Sequence, residues 1–392
     1  MDKRKKIIIS GYYGFGNLGD EAILISIIDR LNAEVENPEI VVLYTKAESE
    51  QLKAYKNVRC VYRMNPISIF FEMLNADLVI SGGGGLLQDS TGFTTVLYYL
   101  GIVKMALFLK KKVLFYAQGI GPLNLDKSKK LITNTVNKVN FITVRDNDSA
   151  ELLKSLKIDK APVVVTADPV ISMEKLPQNE IDELVKKYIP NFKKNNNPNI
   201  GISARPWKSD NNYIEILAKS CDELIKKYNA NIYIIPFQIQ QDLAICKEIK
   251  EKMEGEAEII MPPNSEDSIF QFSPKEIAGI IGQMDLIIAM RLHALIFSFP
   301  FKIPSAGIVY DPKVGIFAKQ AGMESFNLDS FKKEDVIGFV GNNLNKNYSN
   351  DSFDKLYNQS ILTGKIASDM LSNISAEEII KKRGLILYDR IS

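Results

Sequence analysis

The 392-residue sequence has little of what several large classes of protein require. Its three cysteines, Cys60, Cys221 and Cys246, stand far apart and form no CxxC pair, so neither a disulfide framework nor a cysteine-ligated zinc site is indicated. There is one histidine and one tryptophan. The 49 basic and 47 acidic residues leave a formal net charge of +2, which gives no electrostatic reason to expect nucleic-acid binding.

Long hydrophobic runs are also lacking. The most apolar stretch, Val96 to Leu109, is interrupted by Lys104 and is shorter than the roughly 20 residues that cross a bilayer. The start, MDKRKKIIIS, resembles a signal peptide only briefly, because its apolar run ends at Ser10. Together with the unpaired cysteines, these features predict a cytoplasmic protein and leave peripheral contact with the inner face of the membrane open. A hydrophobic fraction of 46% excludes a disordered chain.

Short apolar runs alternate with helical patterns along the whole chain, which predicts an α/β fold with parallel sheets covered by helices. Helices are predicted over 22–31 and 96–109. The predicted strands are 6–10, 40–45, 78–81, 112–117, 141–144, 199–203, 230–236, 257–261, 286–290 and 303–309. A stretch rich in asparagine, lysine and proline between 172 and 199 separates the two halves. We therefore expect two Rossmann-like domains, 1–175 and 176–392, that face a cleft and bind ligands beyond the carboxyl ends of their strands.

The first strand runs into GYYGFGNLGDEAIL, whose three later glycines satisfy the GxGxxG pattern of dinucleotide sites. Three residues separate the strand from that pattern, however, and no acidic residue ends the second strand. Asp20 and Glu21 at the helix start would also repel a pyrophosphate. Two interpretations remain for this loop: a purely structural turn, or a loop whose backbone approaches a polar substrate. We favour the second. Its candidate substrate-binding residues are Gly16, Asn17, Asp20 and Glu21.

Two further glycine loops follow the third and fourth strands. SGGGGLLQDSTG contains four consecutive glycines, which we expect to expose a row of N–H groups that holds an anion or a sugar. AQGIGPL again places glycines at the carboxyl end of a strand. Because parallel strands end at the same edge of a sheet, the three loops should converge there. The candidate residues on these two loops are Gly83, Gly84, Asp89 and Gln118.

Cationic side chains follow strands in both halves. Arg291 and His293 lie in MRLHALIFS, where a strand passes into a helix. The N–H groups of that helix and the Arg291 guanidinium can together hold a phosphate or carboxylate. Lys313 follows the next strand, and Arg145 ends the fifth. A packed histidine and a solvated lysine are the ordinary alternatives. Arg205, which ends the first strand of the second half, is a further cation that suits a dianion. Gln238 and Asp242 suit sugar hydroxyls, and Trp207 either stacks on the apolar face of a sugar or packs in a core.

Seven blocks, in this order, resemble the polysaccharide pyruvyl transferases: GYYGFGNLGDEAIL, SGGGGLLQD, YAQGIGPL, TVRDNDS, TADPV, RLHALIFS and YDPKV. They are most similar to the CsaB-type branch, over about residues 7 to 322. The resemblance implies a GT-B-like pair of Rossmann-like domains. It also implies transfer of an enolpyruvyl-derived group from phosphoenolpyruvate to a sugar, which gives a 4,6-linked pyruvate ketal. In that branch the implied acceptor is N-acetylmannosamine in a lipid-diphosphate-linked precursor of a secondary cell-wall polysaccharide, whose ketal anchors S-layer proteins.

The resemblance also assigns roles to residues. The arginine of the family's VRD block falls on Arg145, its RLH block on Arg291, Leu292 and His293, and its lysine on Lys313. The three cations would neutralise the carboxylate and phosphate of the donor. His293 would act as the general acid that protonates the methylene carbon, since imidazole is the side chain that ordinarily titrates near neutrality.

The base for the attacking hydroxyl stays open among Asp20, Glu21 and Asp89. No cofactor or metal is expected, because phosphoenolpyruvate is a co-substrate and no histidine or cysteine cluster is present. The glycine loops suit a neutral sugar and the second half suits a dianion, so we expect the acceptor on 1–175 and the donor on 176–392. Two alternatives remain, a nucleotide-sugar glycosyltransferase of GT-B architecture and a noncatalytic sugar-binding protein. The oligomeric state and the role of the polar C-terminal tail are left open.

Overall fold

The computed structural model describes residues 4–189, 192, 197–207, 212–262, 272–344 and 352–388. The chain forms two compact units, each an α/β domain built on a parallel sheet, as the alternation of strands and helices predicts. Unit 1 comprises Met1–Phe15, Asp20–Met173 and Leu356–Ser392, and unit 2 comprises Gly16–Gly19 and Glu174–Lys355.

The sheet of unit 1 has the order β3-β2-β1-β4-β6-β7-β8, with β5 paired to β6, and its pairs are parallel. Its strands are β1 (Lys6–Ser10), β2 (Glu39–Tyr44), β3 (Val58–Tyr62), β4 (Leu78–Ser81), β5 (Gly84–Leu87), β6 (Lys112–Ile120), β7 (Phe141–Val144) and β8 (Val163–Val165). The helices between them are α1 (Leu18–Glu34), α2 (Pro66–Leu74), α3 (Phe93–Phe108), α4 (Asp126–Val136) and α5 (Asn147–Ser155). The strand order reverses between β1 and β4, which is where such sheets open a crevice for ligands.

The sheet of unit 2 has the order β11-β10-β9-β12-β13-β14, the doubly wound order of dinucleotide-binding folds, and it too is parallel. Its strands are β9 (Asn199–Ser203), β10 (Asn231–Ile234), β11 (Ala257–Ile259), β12 (Leu286–Ala289), β13 (Ser305–Val309) and β14 (Glu324–Asn327). Its helices are α6 (Gln178–Tyr188), α7 (Asn212–Tyr228), α8 (Ile239–Lys252), α9 (Pro274–Ile281), α10 (Leu292–Ser298), α11 (Pro312–Ala321) and α12 (Lys333–Asn343).

The central strands are buried along their whole length, as expected for parallel sheets with both faces covered. Every residue of β4, β7, β9 and β12 is buried. This is why continuous apolar runs predicted them, and each of the ten predicted strands is present within a few residues. The sequence missed β3 and β14, which are largely exposed at the sheet edges, and the very short β5 and β8. No helix in the described part of the chain is long and apolar enough to cross a membrane.

The C-terminal tail packs on the sheet of unit 1, which differs from the sequence-based division at 176–392. Thr363 Oγ1 lies 3.0 Å from Thr143 Oγ1, and Ser368 Oγ donates to the Glu34 carbonyl oxygen at 2.7 Å. These contacts join residues more than two hundred positions apart, so no local pattern in the polar tail indicates them. The tail forms α13 (Phe353–Leu371) and α14 (Ala376–Arg383).

Candidate functional site

Several candidate side chains of unit 2 share the carboxyl edge of its sheet. β9, β12 and β13 are neighbours and run in parallel. Arg205 follows β9, Arg291 and His293 follow β12, and Lys313 follows β13. Leu292 is the buried first residue of α10. Because parallel strands end at one edge, the loops that carry these residues lie together at the position where doubly wound sheets bind ligands.

His293 lies in the first turn of α10, directly against Gly19. A Cβ atom added to Gly19 would lie 2.1 Å from His293 Nδ1 and 2.6 Å from its Cγ, so only glycine leaves room for the imidazole ring. The Phe297 ring packs edge-on at a centroid distance of 6.4 Å. The neighbouring Leu18 N–H donates to the Phe237 carbonyl oxygen at 3.2 Å, which attaches this segment to unit 2. The last glycine of the GxGxxG pattern therefore accommodates a histidine.

Arg291 is buried in an ion pair with Asp242. Its Nε donates to Asp242 Oδ2 at 3.0 Å, and its Nη2 donates to Oδ1. Asp242 is fully buried and also accepts from the backbone N–H groups of Phe237, at 3.0 Å, and Gln238, at 2.9 Å. Arg291 thus fixes the loop after β10, and a carboxylate already balances its charge. The sequence predicted instead an accessible cation and an aspartate that faces a sugar.

Arg205 and Lys313 are more accessible than Arg291 at this edge. Arg205 Nη1 donates to Tyr310 Oη at 3.1 Å, and the guanidinium lies 5.1 Å from the Tyr310 ring centroid and 5.7 Å from that of Trp207. Trp207 is 38% exposed, so it is a surface residue of this edge and does not belong to a core. Lys313 is half-exposed, with its Nζ 3.2 Å from the Asp311 carboxylate that caps α11. Within the described ranges no carboxylate pairs with Arg205.

In unit 1, Arg145 is likewise bound to carboxylates. Its Nη1 donates to Asp168 Oδ2 at 2.9 Å, and its Nε lies 3.7 Å from Asp146 Oδ2. Burial lowers the pKa of the Arg145 guanidinium, but Asp168 and Asp146 outweigh that effect and the pKa is raised. Asp146 also caps α5 by accepting from the Ser149 N–H at 2.7 Å. The TADPV block therefore supplies the partner of Arg145, a pairing that the sequence did not indicate.

Glu21 supports the first glycine loop from inside the protein. It is only 3% exposed, and it accepts from the Gly14 N–H at 2.6 Å and from Tyr44 Oη at 3.2 Å. Burial raises the pKa of Glu21 to about 7, against the lowering effect of the Gly14 hydrogen bond and with a further rise from Asp20. Asp20 is less buried and lies beside Gly84, where an added Cβ would be 3.1 Å from its Oδ1. Asp20 is therefore the more accessible of the two acids.

The four-glycine segment does not expose the predicted row of N–H groups. Gly82, Gly83 and Gly84 are buried, and Gly84 begins β5. The Gly82 N–H donates to the Ser10 carbonyl oxygen at 2.7 Å. A Cβ on Gly82 would lie 2.1 Å from the Tyr13 hydroxyl, so close packing explains this glycine.

Asp89 and Gln118 also support the loops of unit 1. Asp89 accepts from the backbone N–H groups of Asn124 and Leu125, both at 2.8 Å, and so fixes the loop before α4. Gln118 is fully buried, and its Nε2 donates to Ser81 Oγ at 2.6 Å and to a glycine carbonyl oxygen at 3.0 Å. Its Oε1 has no hydrogen-bond partner in the described part of the chain.

The sequence did not predict an aromatic pocket that lies beyond β1, β2 and β3. It has a volume of about 430 Å³ and is lined by five aromatic residues, three threonines, Arg63 and Met64. Tyr12 and Phe15 stack at 4.2 Å, and the buried Arg63 guanidinium lies 4.9 Å from Phe15 and 4.4 Å from Tyr98. The aromatic residues of GYYGF and VLYY were the available signal. Such walls can stack on the apolar face of a sugar.

Solved structures share this fold at low sequence identity. The UDP-GlcNAc 2-epimerase of Neisseria meningitidis, bound to UDP-GlcNAc, is 14% identical with a TM-score of 0.62, and the match covers 95% of this chain and 100% of that chain. Anabaena Alr3699/HepE in complex with UDP-glucose is 10% identical with a TM-score of 0.58, over 97% of this chain and 99% of that chain. These similarities establish the GT-B-like fold alone.

A family comparison is more specific than the fold. No curated protein matches the chain. The model of the family described as polysaccharide pyruvyl transferase matches residues 17–312, which is most of the sequence. That range includes His293, Arg291 and Arg145 together with the glycine loops that follow β4 and lie in β6, and it ends one residue before Lys313. By this match the chain belongs to the polysaccharide pyruvyl transferase family.

Proposed function

We propose that the protein transfers the pyruvyl group of phosphoenolpyruvate to a sugar as a 4,6-linked ketal and releases phosphate. The observation that carries this proposal is the position of His293, held against Gly19 at the carboxyl edge of a sheet with two accessible cations on neighbouring strands. The proposed acceptor, as in the CsaB-type branch, is N-acetylmannosamine of a lipid-diphosphate-linked cell-wall precursor. The proposed location is the cytoplasm, at the inner face of the membrane.

The reaction needs one proton donor and a way to stabilise two anionic groups. His293 gives a proton to the methylene carbon of the enol phosphate, which leaves the adjacent carbon electrophilic. One sugar hydroxyl adds to that carbon and loses its proton, phosphate departs with its bridging oxygen, and the second hydroxyl closes the ketal with loss of its proton. Asp20 is the proposed base, because it is more exposed than the buried Glu21 and Asp89.

The donor's carboxylate and phosphate are proposed to bind Lys313 and Arg205. Both are more exposed than Arg291, whose guanidinium is bound by Asp242. Arg291 is then a positioning residue for the loop before His293. Arg145 is proposed as a further donor contact, with a charge that Asp168 partly balances. No cofactor or metal enters this scheme, and that stays a prediction.

The acceptor sugar is proposed to lie in the aromatic pocket of unit 1. Its stacked Tyr12 and Phe15 rings suit the apolar face of a sugar, and its threonine hydroxyls suit the sugar's hydroxyls. This assigns the acceptor to aromatic side chains of the first glycine loop and of its neighbours, and not to the backbone N–H groups that the sequence had favoured.

The test is phosphate release from phosphoenolpyruvate in the presence and absence of an N-acetylmannosamine-terminated acceptor. We expect release to depend on the acceptor, and His293→Ala to lower its rate by about 100-fold or more, as expected for loss of a general acid. Wild-type rates in His293→Ala would contradict its role. Acceptor-dependent consumption of a UDP-sugar would support a glycosyltransferase instead, and sugar binding without turnover of either donor would indicate a noncatalytic protein.

A further inference from the structure

Unit 1 carries a cluster of large apolar side chains that face solvent. They come from α2, from the residue pair that precedes it and from α3, and they are between 42% and 80% exposed. We call this cluster the α2–α3 face. Its members are Met64, Ile67, Phe71, Leu74, Leu97 and Phe108.

Helix α2 is apolar on both of its sides. Ile69 and Met73 are buried in the domain core, whereas Ile67, Phe71 and Leu74 recur at helical spacing on the outside. Exposed apolar side chains that cluster on the outer side of a helix ordinarily mark a surface that meets a partner or a membrane.

Hydrogen bonds join the two helices at both ends. At one end, Tyr98 Oη on α3 donates to the Arg63 carbonyl oxygen just before α2, at 2.9 Å. At the other end, Lys111 after α3 donates through Nζ to the carbonyl oxygen of Leu74, the last residue of α2, at 2.8 Å.

The charged residues that α3 and the turn after it contribute beside this face are all basic. Lys104 lies on the same exposed stripe of α3 as Leu97 and Phe108, and Lys110 and Lys111 follow the helix. No acidic residue occurs between positions 89 and 126 of the sequence.

The acid that α2 itself contributes is already neutralised. Glu72 lies 2.6 Å from Lys6 Nζ and also pairs with Arg59. Its pKa is lowered to about 2, chiefly by the hydrogen bond from Arg59. The lysines beside the apolar face therefore have no acidic counterpart within it.

We propose that the α2–α3 face docks onto an anionic lipid bilayer. Apolar side chains would enter the acyl boundary while the lysines contact acidic headgroups, the combination by which interfacial helices bind membranes. A second copy of this chain fits less well, because a two-fold contact would place the lysines of one face against those of the other. The surface stands on these contacts alone and does not depend on the proposed reaction.

Vesicle cosedimentation tests the proposal. The wild-type protein should bind phosphatidylglycerol-containing vesicles and bind phosphatidylcholine vesicles much more weakly. Ile67→Ser and Phe71→Ser should each lower the partition coefficient by roughly tenfold, the effect of withdrawing one large apolar side chain from a bilayer. The double variant Lys104→Gln/Lys110→Gln should bind the anionic vesicles more weakly than the wild type. Its binding should also depend less on the salt concentration.

The matched control is Ile386→Ser, since Ile386 is 67% exposed and Ile67 is 69% exposed. This variant should bind vesicles as the wild type does, and all variants should keep the wild-type circular dichroism melting curve. Phosphate release with a soluble acceptor should also be unchanged in Ile67→Ser, which separates docking from catalysis. Failure of the wild type to bind anionic vesicles would overturn the proposal, as would a dimer that Phe71→Ser dissociates without any change in vesicle binding.

Discussion

Glu21→Gln should make the protein more stable at alkaline pH. The Glu21 carboxyl has a pKa near 7 in the folded protein, against 4.5 as its ordinary value, because burial penalises its charged form. Between these two values the folded state keeps a proton that the unfolded chain has lost. Stability therefore falls as the pH rises from about 4.5 to about 7, and the loss is complete above that range.

The magnitude follows from the two pKa values. One pKa unit corresponds to about 1.4 kcal/mol, so at about pH 8 the ionised Glu21 costs unit 1 about 3 kcal/mol. At about pH 5.5 the same linkage costs about 1.4 kcal/mol, which leaves about 2 kcal/mol between the two conditions. Glutamine mimics the protonated acid, since its oxygen can accept from the Gly14 N–H and its amide can donate to Tyr44 Oη.

The assay is urea unfolding followed by circular dichroism at the two pH values. The stability advantage of Glu21→Gln over the wild type should be about 2 kcal/mol larger at about pH 8 than at about pH 5.5. Tryptophan fluorescence, which reports only on Trp207 in unit 2, serves as the internal reference. An advantage of equal size at both pH values would show that the folded protein does not keep the Glu21 proton, and the reasoning would fail.

Three further substitutions test the packing of the site. Gly19→Ala should lower phosphate release by about 100-fold, because the added methyl displaces the His293 ring, and the loss should not add to that of His293→Ala in the double variant. Arg291→Ala should destabilise unit 2 by about 3 kcal/mol or more in urea unfolding, since it leaves a buried carboxylate unpaired. Asp168→Ala should destabilise unit 1 by about 2 kcal/mol or more, because it removes the closest carboxylate from the buried Arg145.

Matched variants show whether these effects are specific. Gly85→Ala adds the same methyl group in unit 1 where no atom lies within 4 Å, so it should leave phosphate release unchanged. Lys313→Ala removes a half-exposed cation and should weaken donor binding with little change in the urea midpoint. If Arg291→Ala weakened donor binding and left the unfolding midpoint unchanged, Arg291 would contact the donor and would not serve as a support for the loop.

The fold was largely predictable because its signal is local. A parallel strand buried on both faces must be a short apolar run, and β1, β4, β7 and β9 have the residues that such a run predicted. Capping is local as well, since the Asp146 side chain that caps α5 binds an N–H group only three positions along the chain. The edge strand β14 has no buried face to impose a pattern, and it was missed.

For the candidate site, the sequence predicted which residues belong to it and did not predict how those residues contact one another. The sequence identified His293, Arg291 and Arg145 from strand-end positions and family blocks. It did not show that Asp242 and Asp168 bind the two arginines, because those pairs join residues 49 and 23 positions apart. The sequence would be the same if all four of these arginine and aspartate side chains were exposed and unpaired.

Burial and distance, which only the tertiary structure decides, determine what each side chain can do. An arginine beside a buried aspartate is a support for a loop, whereas an exposed one is available to a ligand. The tail was predicted to belong to the second domain and packs on unit 1 for the same reason. Which side of a polar helix is buried depends on the sheet that it covers, and that sheet is distant in sequence. The sequence by itself therefore determined the family and the ten strands with a continuous apolar run, and the tertiary structure decided which charged side chains are bound by a partner and which face solvent.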